Sequence, residues 1–147
     1  NNRPREAREM LRLARTAGSA LGGAVAAHPY GWGKFGGPVV ALQAVENLIV
    51  AEQPRRALGL SERISAPGAA ATANTWNRHR LDVAQAHVAL RQGDEATAVL
   101  AEMHAQAPEW LRHQRMAAGT FERSLRVSGR RRLTVKQREL AEFFGVA

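Results

Sequence analysis

Residues 80–108, RLDVAQAHVALRQGDEATAVLAEMHAQAP, decide the architecture of this chain. Small and apolar residues recur through them at three- and four-residue spacing: Leu81, Ala84 and Val88 before Gly93, then Ala96, Leu100 and Met103 after it. That period marks helices whose apolar stripes face one another, and the short Arg91-Gln92-Gly93-Asp94 interval between them leaves no room for anything but a tight reversal. Two antiparallel helices result, closed by Pro108, which cannot continue the second one.

The positions fit a repeat frame. In a tetratricopeptide repeat, small or apolar residues fall at positions 4, 7, 8, 11, 20, 24, 27 and 32, because two helices must pack closely. Setting Pro108 at position 32 puts Met103 at 27, Leu100 at 24, Ala96 at 20, His87 at 11, Ala84 at 8 and Val83 at 7, with Arg80 the poor fit at 4. A second frame, with Ala57 at position 20, places Ile64 at 27, Ser61 at 24, Leu48 at 11, Val45 at 8, Ala44 at 7 and Ala41 at 4. The fold class expected is therefore all-α: tetratricopeptide-like antiparallel helix pairs, a fragment of an α-solenoid with about seven helices.

Working outward, a first helix over 3–21 opens with Asn2 as candidate N-cap and Pro4 at the first helical position, and Gly22-Gly23 ends it. Residues 22–37 form a Gly-rich loop containing His28-Pro29-Tyr30. Helix pairs follow over 38–64 and 72–107, the second breaking at Gly93, and C-terminal helices over 108–127 and 134–144. Trp110, Leu111, Ala117, Phe121 and Leu125 share one face of the long segment after Pro108. Thr134 and Gln137 have capping-box spacing for the last helix. At 147 residues the whole is expected to be one domain, long enough to bury roughly 70 % of its unfolded surface.

Composition excludes several classes of function. There is no cysteine, which removes disulfides, thiolate metal sites and thiol catalysis. No apolar run approaches the roughly 20 residues of a membrane span, and no signal-peptide core is present at Asn1, so a cytoplasmic protein without membrane contact is expected. His28, His79, His87, His104 and His113 never pair at i, i+4, so no metal site is expected, and His87 is expected to be a partly buried packing residue. No serine lies in a nucleophile elbow, and Asp94-Glu95 suits a helix start. Nothing assembles into a catalytic set. No enzyme, cofactor or metal is expected.

Gly31-Trp32-Gly33-Lys34-Phe35-Gly36 satisfies the G-x-G-x-x-G spacing. A dinucleotide fold also needs a strand before it and an acid roughly 20 residues on, and no strand pattern precedes it. Trp32 and Phe35 are instead expected to pack over a binding groove. Formal charge is +8, and between Arg112 and Arg138 nine Arg or Lys face the single acid Glu122. Such density suits phosphates or an acidic partner, yet the stretch has only Phe121 for base stacking, and a solvated Arg-rich face is the simpler reading. Gln137 to Val146 is better read as a terminal capping helix than as the start of a helix-turn-helix.

Four segments carry a family resemblance: Phe35-Gly36-Gly37-Pro38-Val39-Val40-Ala41-Leu42; Arg56-Ala57-Leu58 with Glu62-Arg63-Ile64; Leu81-Asp82-Val83-Ala84-Gln85-Ala86-His87; and Ala107-Pro108-Glu109-Trp110-Leu111-Arg112-His113-Gln114. Together they resemble the C-terminal tetratricopeptide region of actinobacterial transcriptional regulators of the Cro/repressor (XRE) type. The resemblance implies a ligand-sensing or dimerising domain, with a DNA-binding helix-turn-helix expected upstream of Asn1 and DNA contacted only through it. The family has an Asn and a His where this chain has Val39 and Gln43, so the ligand is not carried over. Concave positions fall at Gln43, Glu46, Arg78, Asp82 and Gln85, with Leu42, Ile49, Val50, Leu81 and Val88 among them. That mixed wall suits a peptide, a small molecule or a partner's helix, and the pairs also suit a homodimer. The alternative is a stand-alone repeat scaffold for protein partners.

Overall fold

A computed structural model describes residues 3–21, 26–27, 34–64, 72–129 and 132–146. Its described residues form eight helices: α1 (Pro4–Ala20), α2 (Gly37–Val50), α3 (Pro54–Ser61), α4 (Ala73–Ala89), α5 (Gly93–Gln106), α6 (Pro108–Arg112), α7 (Arg115–Ser128) and α8 (Val135–Phe144). The architecture is an all-α helical-repeat fold. The chain divides into two compact units, Asn1–His79 and Arg80–Ala147, with the division falling inside α4.

The two helix pairs turn in the same way. Between α2 and α3, Glu52 takes a left-handed conformation at φ 56°, and between α4 and α5 Arg91 does so at φ 61°. Both occupy position 15 of their repeat frames. The bonds around them match too: the Gln53 amide donates to the Leu48 carbonyl at 2.9 Å and the Gln92 amide to the His87 carbonyl at 2.9 Å, while Glu52 donates to Ile49 and Arg91 to Val88, each at 3.0 Å. These are the carbonyls that a helix C-terminus leaves without partners, and the left-handed residue turns the chain back so that they are satisfied.

In the first unit Ala44 and Val45 of α2 and Ala57 of α3 are buried, as the frame around Ala57 requires, while its Ala41, Leu48, Ser61 and Ile64 are half-buried and Val40, outside the frame, is buried as well. Pro54 opens α3 at its first position, whereas Pro38 is second in α2, behind Gly37. The N-cap of α1 is Arg3, with no side-chain capping bond, while Asn2 lies outside the described residues. Gly18, the buried residue of α1, passes the start of α2 so closely that a Cβ there would stand 3.3 Å from the Gly37 nitrogen. The stretch expected to be an irregular loop contains a two-residue antiparallel ladder, β1 (Ala26–Ala27) with β2 (Lys34–Phe35), Ala26 opposite Phe35. Antiparallel pairing is not the parallel strand–helix–strand unit of a dinucleotide fold.

The second unit is built on α5. Its core joins Leu81 and Ala84 of α4, Leu100 and Met103 of α5, Leu111 of α6, Ala117 and Phe121 of α7 and Leu140 of α8. Here two expectations are corrected. Gly93 does not break the chain between helices but is the first residue of α5, buried against α7. The segment after Pro108 is not one long helix: α6 ends with His113 as its C-cap, and Gln114 in an extended conformation caps α7. Leu111 and Phe121 thus reach the same core from separate helices, with Trp110 and Leu125 packed against it. The final helix carries the expected capping box: Thr134 Oγ1 accepts from the Gln137 amide at 3.2 Å, and Gln137 Oε1 accepts from the Thr134 amide at 2.9 Å. Phe143 and Phe144 stack edge to face, Phe144 lies 5.6 Å from Phe121, and α8 covers the core as a cap.

Candidate functional site

The expected groove residues fall in both units. In the first, Gln43 is exposed on α2 and donates from Nε2 to Glu46 Oε2 at 2.8 Å. Glu46 Oε1 in turn accepts from Arg78 Nη2 of α4 at 3.0 Å. One carboxylate therefore holds an amide and a guanidinium in a line across two helices, and the Arg78 side chain keeps 61 % of its surface open to water. An exposed pair of this kind contributes little to stability, so its interest lies in the donors it presents. The neighbouring Leu42 is buried and unavailable to a ligand.

In the second unit Gln85 Nε2 approaches Asp82 Oδ1 at 3.4 Å. Asp82 is buried, not open on a groove wall, and so is Leu81. This corrects the expectation for both: a period of 3.6 assigns a face but not what covers it. Trp32 lies outside the described residues, and Phe35 sits in β2, so the expected aromatic cover over the groove lies outside the described side chains.

Other singled-out residues have structural roles. His87 is half-buried, its Nδ1 2.9 Å from Gln92 Oε1, tying the end of α4 to the start of α5. Arg80, the misfit of the repeat frame, buries its stem and sends Nη2 to Glu102 Oε2 at 2.8 Å and Nη1 to Gln106 Oε1 at 2.7 Å. Asp94 accepts from Ser128 Oγ at 2.8 Å at the head of α5. The described Arg and Lys residues of the Arg-rich stretch are all exposed, as expected; of these, Arg112 lies over the Phe143 ring at 5.1 Å from its centroid, and Arg123 donates to Thr120 Oγ1 at 3.3 Å. Among the described residues no group of three His, Asp or Glu side chains is arranged to hold a metal ion, and no helix is long and apolar enough to cross a membrane.

One feature of the first unit was not anticipated from the sequence. Helices α1 and α2 meet closely at Gly18 and Gly37, and at the opposite end, toward Pro4 and Val50, a cleft of about 1000 Å³ opens between α1 and the α2–α3 pair. Leu11, Leu48 and Leu60 line it, and Met10 and Val50 stand at its edge with 60 % and 67 % of their surface exposed. The signal lay in α1 itself: Ala7, Met10, Leu11 and Ala14 make an apolar stripe, yet Gly18 is the only buried residue of the helix. No family model matches this chain, and neither does any curated protein or solved structure.

Proposed function

We propose that this chain is a partner-binding helical-repeat module, the sensing or dimerisation domain of a transcriptional regulator whose helix-turn-helix lies outside this stretch. The observation that carries the binding part is the line Gln43, Glu46, Arg78: donors from two helices, prearranged by a shared carboxylate and open to solvent. Groups already held in place lose less freedom when a ligand arrives, so such a line favours recognition of the carbonyls or carboxylates of a peptide or small molecule. The regulatory part rests on the family resemblance of the sequence. A regulator of this kind works in the cytoplasm.

The test is footprinting with the complete gene product. It should protect a specific DNA sequence, residues 1–147 alone should not, and Glu46→Ala with Arg78→Ala should alter regulation while leaving the footprint in place. A complete product without specific DNA affinity overturns the regulatory reading. The second reading, a stand-alone scaffold, draws support from the identical turns at Glu52 and Arg91, since an array extends by repeating one turn geometry. A stoichiometric protein partner lost on Arg78→Glu, in a product that ignores DNA, favours it.

A further inference from the structure

We propose that the cleft between α1 and the α2–α3 pair is the docking site of an acidic amphipathic helix from a partner protein. This surface is separate from the Gln43–Glu46–Arg78 line and does not rest on the regulatory reading.

Charge selects the occupant. Arg8, Arg12 and Arg15 line the cleft from α1, and Arg56 and Arg63 line it from α3. Arg3 lines it too, but pairs with Glu6 at 3.2 Å, and Glu6 is the one acid in the lining. Among the described residues no carboxylate pairs with the other five arginines; Arg56 bonds the neutral Gln53 at 2.6 Å. Like charges held around an apolar floor repel one another and attract a ligand of opposite sign.

Spacing selects the shape. Arg8, Arg12 and Arg15 stand at i, i+4 and i+7, about 10 Å of helix at roughly 1.5 Å per residue. Arg56 and Arg63 stand seven apart on the other wall. A helix laid between them meets both rows with acids on either flank of its apolar stripe, spaced three and four residues apart along each flank, while that stripe covers Leu11, Leu48 and Leu60. A second copy of the chain does not fit, because α1 and its N-cap line the cleft with Arg3, Arg8, Arg12 and Arg15 against only Glu6, and pairing two such faces sets arginine against arginine.

The experiment measures fluorescence anisotropy of a labelled synthetic helix, with Leu on one stripe flanked by Glu, on the whole 147-residue chain. Saturable binding of one peptide per chain is expected, weakening as ionic strength rises. Arg8→Glu with Arg12→Glu, and separately Arg56→Glu with Arg63→Glu, should each lower affinity by at least about tenfold, the loss expected when close charge pairs are reversed. Gln43→Ala and Arg126→Glu should leave it unchanged, and a Lys-flanked peptide should not bind. Helical circular dichroism checks that each variant is folded, and Arg12→Gln gives a milder version of the first pair. Equal binding of a scrambled peptide of the same composition overturns the proposal, as does wild-type affinity in both cleft variants. It is also overturned if the peptide fails to bind while phosphatidylglycerol vesicles do so through the same arginines, or if sedimentation finds a dimer that Arg12→Glu dissociates.

Discussion

Gly93 and Ser124 meet backbone to backbone where α5 crosses α7: a Cβ added to Gly93 would overlap the Ser124 carbonyl oxygen, and would lie 2.7 Å from the Ser128 nitrogen. Around this point Thr97 Oγ1 bonds the Gly93 carbonyl at 2.9 Å and lies 3.2 Å from Ser124 Oγ, while Ser124 Oγ donates to the Phe121 carbonyl at 2.7 Å. Small side chains whose hydroxyls are satisfied locally let the helices approach without stranding a polar group. Gly93→Ala must push α5 from α7, against backbone atoms that cannot rotate away. A loss of about 2–3 kcal/mol is expected in chemical denaturation, in the range of overpacked cores. Alanine at exposed Gly59, where a Cβ meets nothing within 4 Å, should stabilise.

The paired turns give a prediction of opposite sign. Glu52 and Arg91 hold positive φ, a conformation that costs a residue with a Cβ roughly 1–2 kcal/mol. Part of that is offset because glycine is freer in the unfolded chain. Glu52→Gly and Arg91→Gly should each raise stability by about 0.5–1 kcal/mol, read from the denaturant midpoint. If either lowers it, the turn is not held as described.

Arg80 and Glu102 should respond unequally to substitution. The arginine side chain keeps 10 % of its surface exposed and the glutamate 68 %. Removing the acid leaves a buried guanidinium with Gln106 alone, whereas removing the arginine leaves a carboxylate that water already reaches. Glu102→Ala is expected to cost about 1–3 kcal/mol and Arg80→Met under about 1 kcal/mol. Equal losses in thermal melts would count against this asymmetry.

Thr134→Ala removes half of the capping box and should cost about 1 kcal/mol. Because α8 closes the second core through Leu140, the loss should appear first as faster amide exchange in α8, before any change in α2 or α3. Leu140→Ala removes the anchor itself, and a loss of about 2–5 kcal/mol is expected.

Much of the fold was legible because helices announce themselves locally. The spacing of Ala84, Ala96, Leu100 and Met103 follows from a period of 3.6 residues, and all four are buried as the repeat frame requires. Pro54 and the Thr134–Gln137 box mark helix starts by chemistry that reaches only a few residues. The break at His113 and Gln114 was not legible, since no proline or glycine marks it and the apolar period runs on across it. For the candidate site, the sequence supplied residues but not their surroundings. Gln43, Glu46 and Arg78 became one line only when α2 and α4 were brought together, and Asp82, on the same nominal face, proved to be buried. Sequence alone thus determined that this chain is helical, where most helices begin and which faces are apolar, because those depend on near neighbours. Tertiary structure decided that Gly93 is a contact rather than a break, that Arg80 is tolerated at a packing position, and that α1 leaves a cleft beside α2 and α3. Each of those depends on what residues distant in sequence bring to the same place.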